Sequence, residues 1–152
     1  YEMLRSLVGS EMCIRDSHNT PLFTTYALII PRELLGTEFV VTRGLDGCLF
    51  VYPMDSWTAY VDKLKKLPLT DKNARLFMRF LIAGANTCEL DKQGRILLPA
   101  TLREFAGLEK DVLLAGMLDH IEIWNEERWK ENADFGDMDT IASHLNEVSG
   151  RE

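Results

Sequence analysis

The sequence predicts an α+β fold, mostly β, in which two similar units are joined by a helical hairpin and followed by a C-terminal helix. An internal repeat is the first reason, because residues Val40–Trp57 align with residues Val112–Trp129. The second is the stretch 55–84, whose apolar residues recur at helical spacing. The third is the end of the chain, where residues 138–148 repeat the same spacing.

The repeat defines the elements of each unit. Each copy predicts a strand, a proline, a short helix, a strand, a turn, a strand and a capped helix with tryptophan in its first turn. A unit of about 45 residues cannot bury a stable core alone, so copies or chains must pair. Leu28–Pro31 resembles Ile96–Pro99 at an offset four residues smaller. The other matches place Val40-Val41-Thr42 on Val112-Leu113-Leu114, Gly44 on Gly116, Leu49, Val51 and Tyr52 on Ile121, Ile123 and Trp124, and Trp57 on Trp129.

Two helices are predicted between the copies. The first follows an Asp or Ser cap after Pro53 and stops at Pro68. The second is capped by Asp71 and ends near Gly84. We expect its Phe77, Met78 and Phe80 to lie in the core. The C-terminal helix carries one apolar stripe and is expected to dock on its own body or on a neighbour; the stripe consists of Met138, Ile141, Leu145 and Val148.

Composition is that of an ordinary globular protein, with 46% apolar and 27% charged residues among 152. The three cysteines and three histidines are scattered, so the sequence predicts neither disulfides nor a metal site. No apolar run reaches the roughly 20 residues of a membrane span.

The net charge of −7 comes entirely from residues 119–152, which hold ten acids and three bases. The basic stretch 61–80 is compatible with a nucleic-acid surface, and equally with a solvated helix face.

The segment Asp91–Pro99 predicts a tight turn that presents an arginine at the start of a strand. Gly94 can adopt positive φ, and Asp91 can accept hydrogen bonds from the amides of the turn. Arg95 then begins an apolar strand with its guanidinium free, an arrangement suited to phosphate or to guanine. An ordinary hairpin with a solvated arginine is the alternative.

These motifs resemble the MraZ family of bacterial proteins, which consist of two tandem SpoVT-AbrB-type swapped-hairpin units. The resemblance runs from about Leu28 to about Glu131 and rests on Asp91–Arg95, Arg43–Leu49 and Ile121–Trp124. It implies that the two swapped-hairpin units form a small barrel. It also implies a ring-shaped homo-oligomer in the cytoplasm and nucleoid that binds direct repeats in double-stranded promoter DNA, upstream of the cell-division and cell-wall gene cluster. No cofactor, membrane or small-molecule substrate is implied.

The resemblance also implies the DNA-binding residues, because the family meets DNA through an Asp-x-x-Gly-Arg motif in both units. Here Asp91, Lys92, Gly94 and Arg95 match that motif. Arg103, on the short helix after Pro99, is a further candidate that could instead pair with Glu104 or with the acidic tail. In the first unit Tyr26 and Ala27 align with Gly94 and Arg95, so the first motif is absent. That unit also lacks residues equivalent to Ala100, Thr101 and Leu102.

The predicted domain organisation follows from the repeat and the resemblance. Residues 1–17 match no part of the family and resemble a translated sequencing-adapter fragment, so we expect a foreign or disordered segment. The regulator itself is expected to begin between residues 18 and 28. The remaining boundaries are a truncated first unit at 18–54, a helical linker at 55–84, a second unit at 85–127 and an acidic helical tail at 128–152.

Other classes of protein stay open at this stage. An AbrB-like antitoxin or transition regulator would share the hairpin, although it usually carries one unit. A ring that never touches DNA could bind partner proteins through its acidic C-terminal segment. An enzyme is not expected, because the sequence has no nucleophile motif, no phosphate-binding glycine loop and no paired His/Cys arrangement.

Overall fold

The computed structural model describes residues 3–9, 13–15, 21–24, 27–29, 36, 38–92, 94–109 and 111–149. Ten strands lie in these ranges: β1 Met3–Gly9, β2 Cys13–Arg15, β3 Pro21–Thr24, β4 Ala27–Ile29, β5 Glu38–Arg43, β6 Leu49–Pro53, β7 Asn86–Glu89, β8 Arg95–Leu97, β9 Asp111–Gly116 and β10 Ile121–Asn125. Five helices lie in the same part of the chain: α1 Met54–Leu64, α2 Lys72–Ala83, α3 Ala100–Ala106, α4 Glu126–Asn132 and α5 Met138–Ser149. The predicted mixture of helices and strands is confirmed.

The helix boundaries follow the capping residues of the sequence. Asp71 precedes α2, and its side chain accepts a hydrogen bond of 2.7 Å from the amide of Asn73. Asn125 caps α4 in the same way, accepting from the amides of the second and third helical residues. Gly107 ends α3 with φ of 60°, a left-handed conformation that favours glycine. Local hydrogen bonding therefore fixes where these helices start and stop.

The main sheet has eight antiparallel strands in the order β7-β5-β6-β10-β9-β1-β4-β8, and β2 pairs with β3 in a separate ribbon. Equivalent strands of the two copies pair with each other. Phe50 of β6 lies opposite Glu122 of β10, and each occupies the same position in its own copy. Leu28 of β4 lies opposite Ile96 of β8 in the same way. The repeat is therefore arranged about a pseudo-two-fold axis, and the two units form one sheet.

The predicted repeat alignment is wrong by one residue in the first hairpin strand. Val51 pairs with Val41, whereas its counterpart Ile123 pairs with Leu114. Val41 is therefore equivalent to Leu114, and not to Leu113 as the sequence alignment places it. Turn length is the cause, because five residues (44–48) separate the paired strand ends of the first hairpin and four (117–120) those of the second.

Alternate residues of β6 enter two different hydrophobic clusters because successive side chains of a strand point to opposite faces. The larger cluster takes Leu49 and Val51 from β6 and continues through the strands and α3 with Phe39, Val41, Ile96, Leu98, Leu102, Ala106, Leu108, Val112, Leu114, Ile121 and Ile123. The second cluster is largely aromatic and consists of Cys48, Phe50, Tyr52, Ala115 and Trp124, with Trp57, Tyr60, Leu113 and Trp129 packed against it. Packing thus accounts for all three tryptophans, as predicted.

The linker helices attach to the sheet through β5, and α1 also contacts β6. Thr42 donates a buried hydrogen bond to the carbonyl of Leu81, the one fully buried residue of α2. Phe77, Met78 and Phe80 were expected in the core, but each is only half-buried. Their helix packs on β5, and the opposite side of the helix is exposed to solvent.

The sheet does not close into the predicted barrel. β7 and β8 are its two ends, and no ladder joins them among the described residues. β7 pairs with β5, and β8 pairs with β4. Two backbone hydrogen bonds close the turn between them, from Asp91 N to Arg95 O at 2.9 Å and from Gly94 N to Asp91 O at 3.1 Å.

Residues 1–17 contribute a strand to the sheet, although their foreign origin stays a prediction. β1 lies beside β9 as β7 lies beside β5: Ser6 pairs with Val112, and Cys88 pairs with Phe39. The short helix expected after Pro31 lies outside the described residues.

Candidate nucleic-acid interface

The predicted turn is present between β7 and β8, the first and last strands in the order of the sheet. Gly94 has φ of 75°, a conformation that a residue with a Cβ adopts only with strain. Its amide donates a hydrogen bond of 3.1 Å to the carbonyl of Asp91. The glycine therefore lets the chain reverse in the few residues before Arg95 begins β8. This confirms the conformational part of the prediction.

The side chain of Asp91 fixes both the backbone and the side chain of Arg95. Its Oδ1 accepts from Arg95 N at 2.9 Å, and its Oδ2 accepts from Arg95 Nε at 3.0 Å. The prediction that the Arg95 guanidinium is free is thus corrected, because a carboxylate already holds its Nε. Both side chains are partly exposed, at 36% and 43%, so the ion pair adds little stability and serves mainly to orient the arginine.

The remaining candidate residues take different positions. Lys92 is exposed in the same turn as Asp91 and Gly94, and Gln93 lies outside the described residues. Arg103 is half-buried in the last turn of α3, where a cation interacts favourably with the helix dipole. The structure therefore places Asp91, Lys92, Gly94 and Arg95 in one turn, with Arg103 on the next helix.

The pseudo-two-fold axis identifies the position that corresponds to Arg95 in the first unit. Arg95 pairs with Ile29, and Leu97 pairs with Ala27, about the central pair of β4 and β8. Ala27 is therefore the counterpart of Arg95, in agreement with the sequence alignment, and it offers no hydrogen-bond donor from its side chain. Tyr26, the predicted counterpart of Gly94, lies outside the described residues.

The basic stretch 61–80 is spread over α1, α2 and the turn between them. Lys63, Lys66 and Lys72 are exposed. Arg75 donates from Nη1 to the carbonyl of Leu69 at 2.7 Å, so it helps close the turn that precedes α2. These contacts match those of a solvated helix face, the structural alternative that the sequence left open.

Sequence reasoning missed two arginines that hold elements together. Arg128 Nη1 donates to Gly47 O at 3.0 Å and to Phe105 O at 2.9 Å, and so joins α4 to the β5–β6 turn and to α3. The Arg43 guanidinium lies 5.0 Å from the ring centre of Phe80 on α2. Both contacts depend on segments far apart in the chain, and no local sequence signal marks either one.

A titratable group also lies against the aromatic cluster. The ring of His120 stacks on Tyr52 at 5.0 Å, and its Nδ1 lies 2.7 Å from Asp119 Oδ1. Burial by itself lowers the pKa of His120, but the carboxylates of Glu122 and Asp119 raise it, and the net direction is upward. The Nε2–Glu122 distance of 3.8 Å is too long for a hydrogen bond, so Glu122 acts through its charge.

A metal site and a membrane-spanning helix are both absent from the described residues. No group of three or more His, Cys, Asp or Glu side chains in this part of the chain is placed to hold a metal ion. Among the helices that the structure describes, none has the length and apolar character required to cross a membrane.

Comparison with known proteins identifies the family. The family model described as "MraZ protein, putative antitoxin-like" matches residues 28–80 and 81–141. Proteins named "Transcriptional regulator MraZ" are similar over most of their length. The one from Clostridium beijerinckii is 51% identical over 125 residues, which are 80% of this chain and 88% of the relative. The one from Lachnoclostridium phytofermentans is 53% identical over 123 residues, covering 79% and 86%. The one from Clostridium acetobutylicum is 48% identical over 135 residues, covering 86% and 95%. The chain belongs to the MraZ family.

Proposed function

We propose that this protein regulates transcription by binding direct repeats in double-stranded promoter DNA, upstream of the cell-division and cell-wall gene cluster. The turn Asp91–Arg95 is the proposed contact, and Arg103 on the next helix is a second, weaker proposed contact. Relatives of about 50% identity carry the name of transcriptional regulators, which supports the role in transcription. The single observation that carries the DNA contact is the orientation of Arg95 by Asp91.

The geometry of the turn orients the Arg95 side chain before any DNA binds. Asp91 occupies Nε of Arg95, so the guanidinium would meet its ligand through Nη1 and Nη2. Two parallel donors in one plane suit a phosphate, and they also suit O6 and N7 of guanine. Lys92 in the same turn would add a second charge toward the phosphate backbone. Neither contact requires a large rearrangement of the protein.

One such turn would bind weakly by itself. A Lys92/Arg95 pair neutralises about one or two phosphates, which gives low affinity at physiological salt. A ring-shaped homo-oligomer would present several turns to spaced repeats, and its contacts would add through effective concentration. The proposed assembly is therefore part of the proposed mechanism, and binding to promoter DNA would bring the protein to the nucleoid.

The test is fluorescence anisotropy of the full chain with direct-repeat promoter DNA and with a scrambled duplex, over a series of salt concentrations. We expect tighter binding to the repeats and a steep salt dependence. Arg95→Ala should abolish the preference and flatten the slope, because each lost phosphate contact removes about 0.9 from it. Arg75→Ala is the matched control, since it removes an arginine that bonds within the α2 region. A folded Arg95→Ala protein with unchanged affinity would exclude the proposed contact.

A scaffold that binds proteins and not DNA is the second candidate. The presence of Ala27 at the position of the missing first arginine favours it, because a chain with one cationic turn has half the DNA contacts of a two-motif relative. Restoring an Asp-x-x-Gly-Arg loop ahead of Leu28 separates the two functions. Gain of repeat binding by the restored protein indicates a weakened DNA-binding regulator, and continued absence of binding indicates the scaffold.

A further inference from the structure

Leu97 lies on the same face of β8 as Arg95, and its side chain is exposed. Successive residues of a strand point to opposite sides, so residues 95 and 97 share one face of β8. Burial follows this alternation, because Ile96 is 0% and Leu98 6% exposed whereas Leu97 is 63% exposed. On the side away from the main hydrophobic cluster, β8 therefore presents an arginine and an apolar side chain together.

The position of Leu97 is informative, whereas its exposure alone is not. Apolar atoms contribute much of any protein surface, and Leu69 and Leu118 are even more exposed than Leu97. Neither of those leucines lies on β8 or in the turn before it. Leu97 follows two residues after an arginine that Asp91 orients, at a spacing of about 6.7 Å along the strand. An extended ligand bound by Arg95 would therefore reach Leu97.

The major groove of DNA offers a partner for each of these two side chains. Guanine presents O6 and N7 to a guanidinium, and thymine presents its C5-methyl group to an apolar side chain. The spacing of Arg95 and Leu97 corresponds to about two base-pair steps of roughly 3.4 Å each. The sugar–phosphate backbone, by contrast, offers charged oxygens and no methyl group, so contact with it alone would leave Leu97 without an apolar partner. The outward face of β8 thus suits base edges better than backbone.

We propose that Leu97 recognises thymine by packing on its C5-methyl group in the major groove, with Arg95 on the same face at a neighbouring guanine. The inference rests on the proposed function and deepens it, because it assigns the groove and adds a residue that determines specificity. Leu97 carries no charge, so its contact discriminates between bases without changing the number of phosphates that the protein neutralises. Sequence preference and salt dependence should therefore respond to different residues.

Removal of the thymine methyl group tests this contact without altering the hydrogen bonds of the base pair. Fluorescence anisotropy of the full chain compares direct-repeat promoter DNA with the same duplex in which deoxyuridine replaces every thymine of the repeats. The unsubstituted protein should bind the deoxyuridine duplex about fourfold more weakly for each methyl group that it buries. Leu97→Ala should bind both duplexes equally, because the shorter side chain no longer reaches the methyl group. Leu69→Ala is the matched control, since it removes a leucine of similar exposure, 69%, and should keep full sensitivity to the methyl group.

The outcomes separate this contact from the proposed function. Loss of methyl sensitivity in Leu97→Ala but not in Leu69→Ala, with an unchanged salt slope, supports the contact. Equal binding of both duplexes by the unsubstituted protein, or methyl sensitivity that survives Leu97→Ala, overturns the contact while leaving repeat binding in place. A Leu97→Ala protein that sediments differently from the unsubstituted chain would assign the leucine to a protein contact, which also overturns it. Absence of repeat binding by the unsubstituted protein overturns the contact together with the proposed function.

Discussion

Replacement of Arg128 by alanine should destabilise the fold more than replacement of any of the exposed arginines. Arg128 Nη1 donates to two backbone carbonyls, Gly47 O in the β5–β6 turn and Phe105 O near the end of α3. Its guanidinium also lies over the C-cap of α3, where a Cβ on Gly107 would come within 2.9 Å of Nη2. One side chain therefore holds the turn of the first unit, the short helix of the second unit and α4 in a fixed arrangement.

The size of the effect follows from those two bonds. A hydrogen bond to a charged donor contributes about 1.5–3 kcal/mol, and both contacts of Arg128 are partly buried, which favours the lower end. Arg128→Ala should therefore lower the free energy of unfolding by about 2–4 kcal/mol. For a chain of this size, that loss corresponds to a fall in Tm of roughly 5–15 °C.

Urea unfolding followed by tryptophan fluorescence measures the change, since Trp129 is adjacent to the substituted residue in α4. Arg75→Ala is again the control, because its one hydrogen bond, to Leu69 O, is exposed and should be worth less than about 1 kcal/mol. Protein concentration must be held constant, because association stabilises the folded state by mass action. An Arg128→Ala protein within about 0.5 kcal/mol of the unsubstituted chain would refute the assigned role.

Three further predictions concern the turn, a glycine and a histidine. Asp91→Asn removes the charge that holds Nε of Arg95 but keeps an oxygen for its amide, so anisotropy should show a reduced preference for repeats over scrambled DNA in a folded protein. Gly107→Ala should lower the free energy of unfolding in urea by about 2–4 kcal/mol, and Gly36→Ala by about 1 kcal/mol. Both glycines have positive φ, but only at Gly107 would a Cβ meet another atom within 4 Å. Equal losses would contradict the packing argument. The raised pKa of His120 stabilises the fold fully below the unfolded pKa of about 6.5, and this stabilisation is lost as pH rises through the folded pKa. The stability difference between the unsubstituted protein and His120→Gln should therefore shrink between acidic and alkaline pH, and a difference independent of pH would exclude the ion pair.

Elements with local signals were predictable from the sequence. The helices α1, α2 and α5 follow from apolar periodicity, and Asp71 caps α2 as predicted. The predicted Asp or Ser cap of α1 is wrong, because the helix follows Pro53 without a side-chain cap and ends at Leu64. The turn before β8 was predictable because a positive φ favours glycine, and Gly94 has one. The pairing of the two units also followed from the repeat, since neither unit could bury its apolar face alone.

Features that depend on turn length or on distant contacts were not predictable. The sequence alignment matched Val41 with Leu113, whereas the strand pairing matches it with Leu114. The error arose because the two hairpin turns differ in length by one residue. The predicted barrel does not form, because β7 pairs with β5 and β8 pairs with β4, and these pairings join distant segments. For Arg95, the pattern showed that an arginine would start the strand, but not that Asp91 would take its Nε. The local pattern predicted the turn and its arginine, whereas the hydrogen bond to Nε depends on a side-chain conformation that the pattern does not specify.

The two units are equivalent in the sheet but differ at one position, where the second has Arg95 and the first has Ala27. This difference bears on how the protein would reach high affinity for DNA. The pairs Phe50–Glu122 and Leu28–Ile96 make the two units equivalent as strands, so both are needed to complete one sheet. Only the second unit retains an arginine at the start of the strand beside the axis, because Ala27 occupies the corresponding place. In the proposed function, multiple contacts with DNA would therefore come from copies of the chain and not from repeats within it. With about two phosphates for each turn, the salt slope of binding divided by roughly 2 estimates the number of chains that touch DNA at once. A slope that fits a single turn, measured on an intact ring, would mean that the ring offers one contact at a time and that repeat spacing is recognised by other residues.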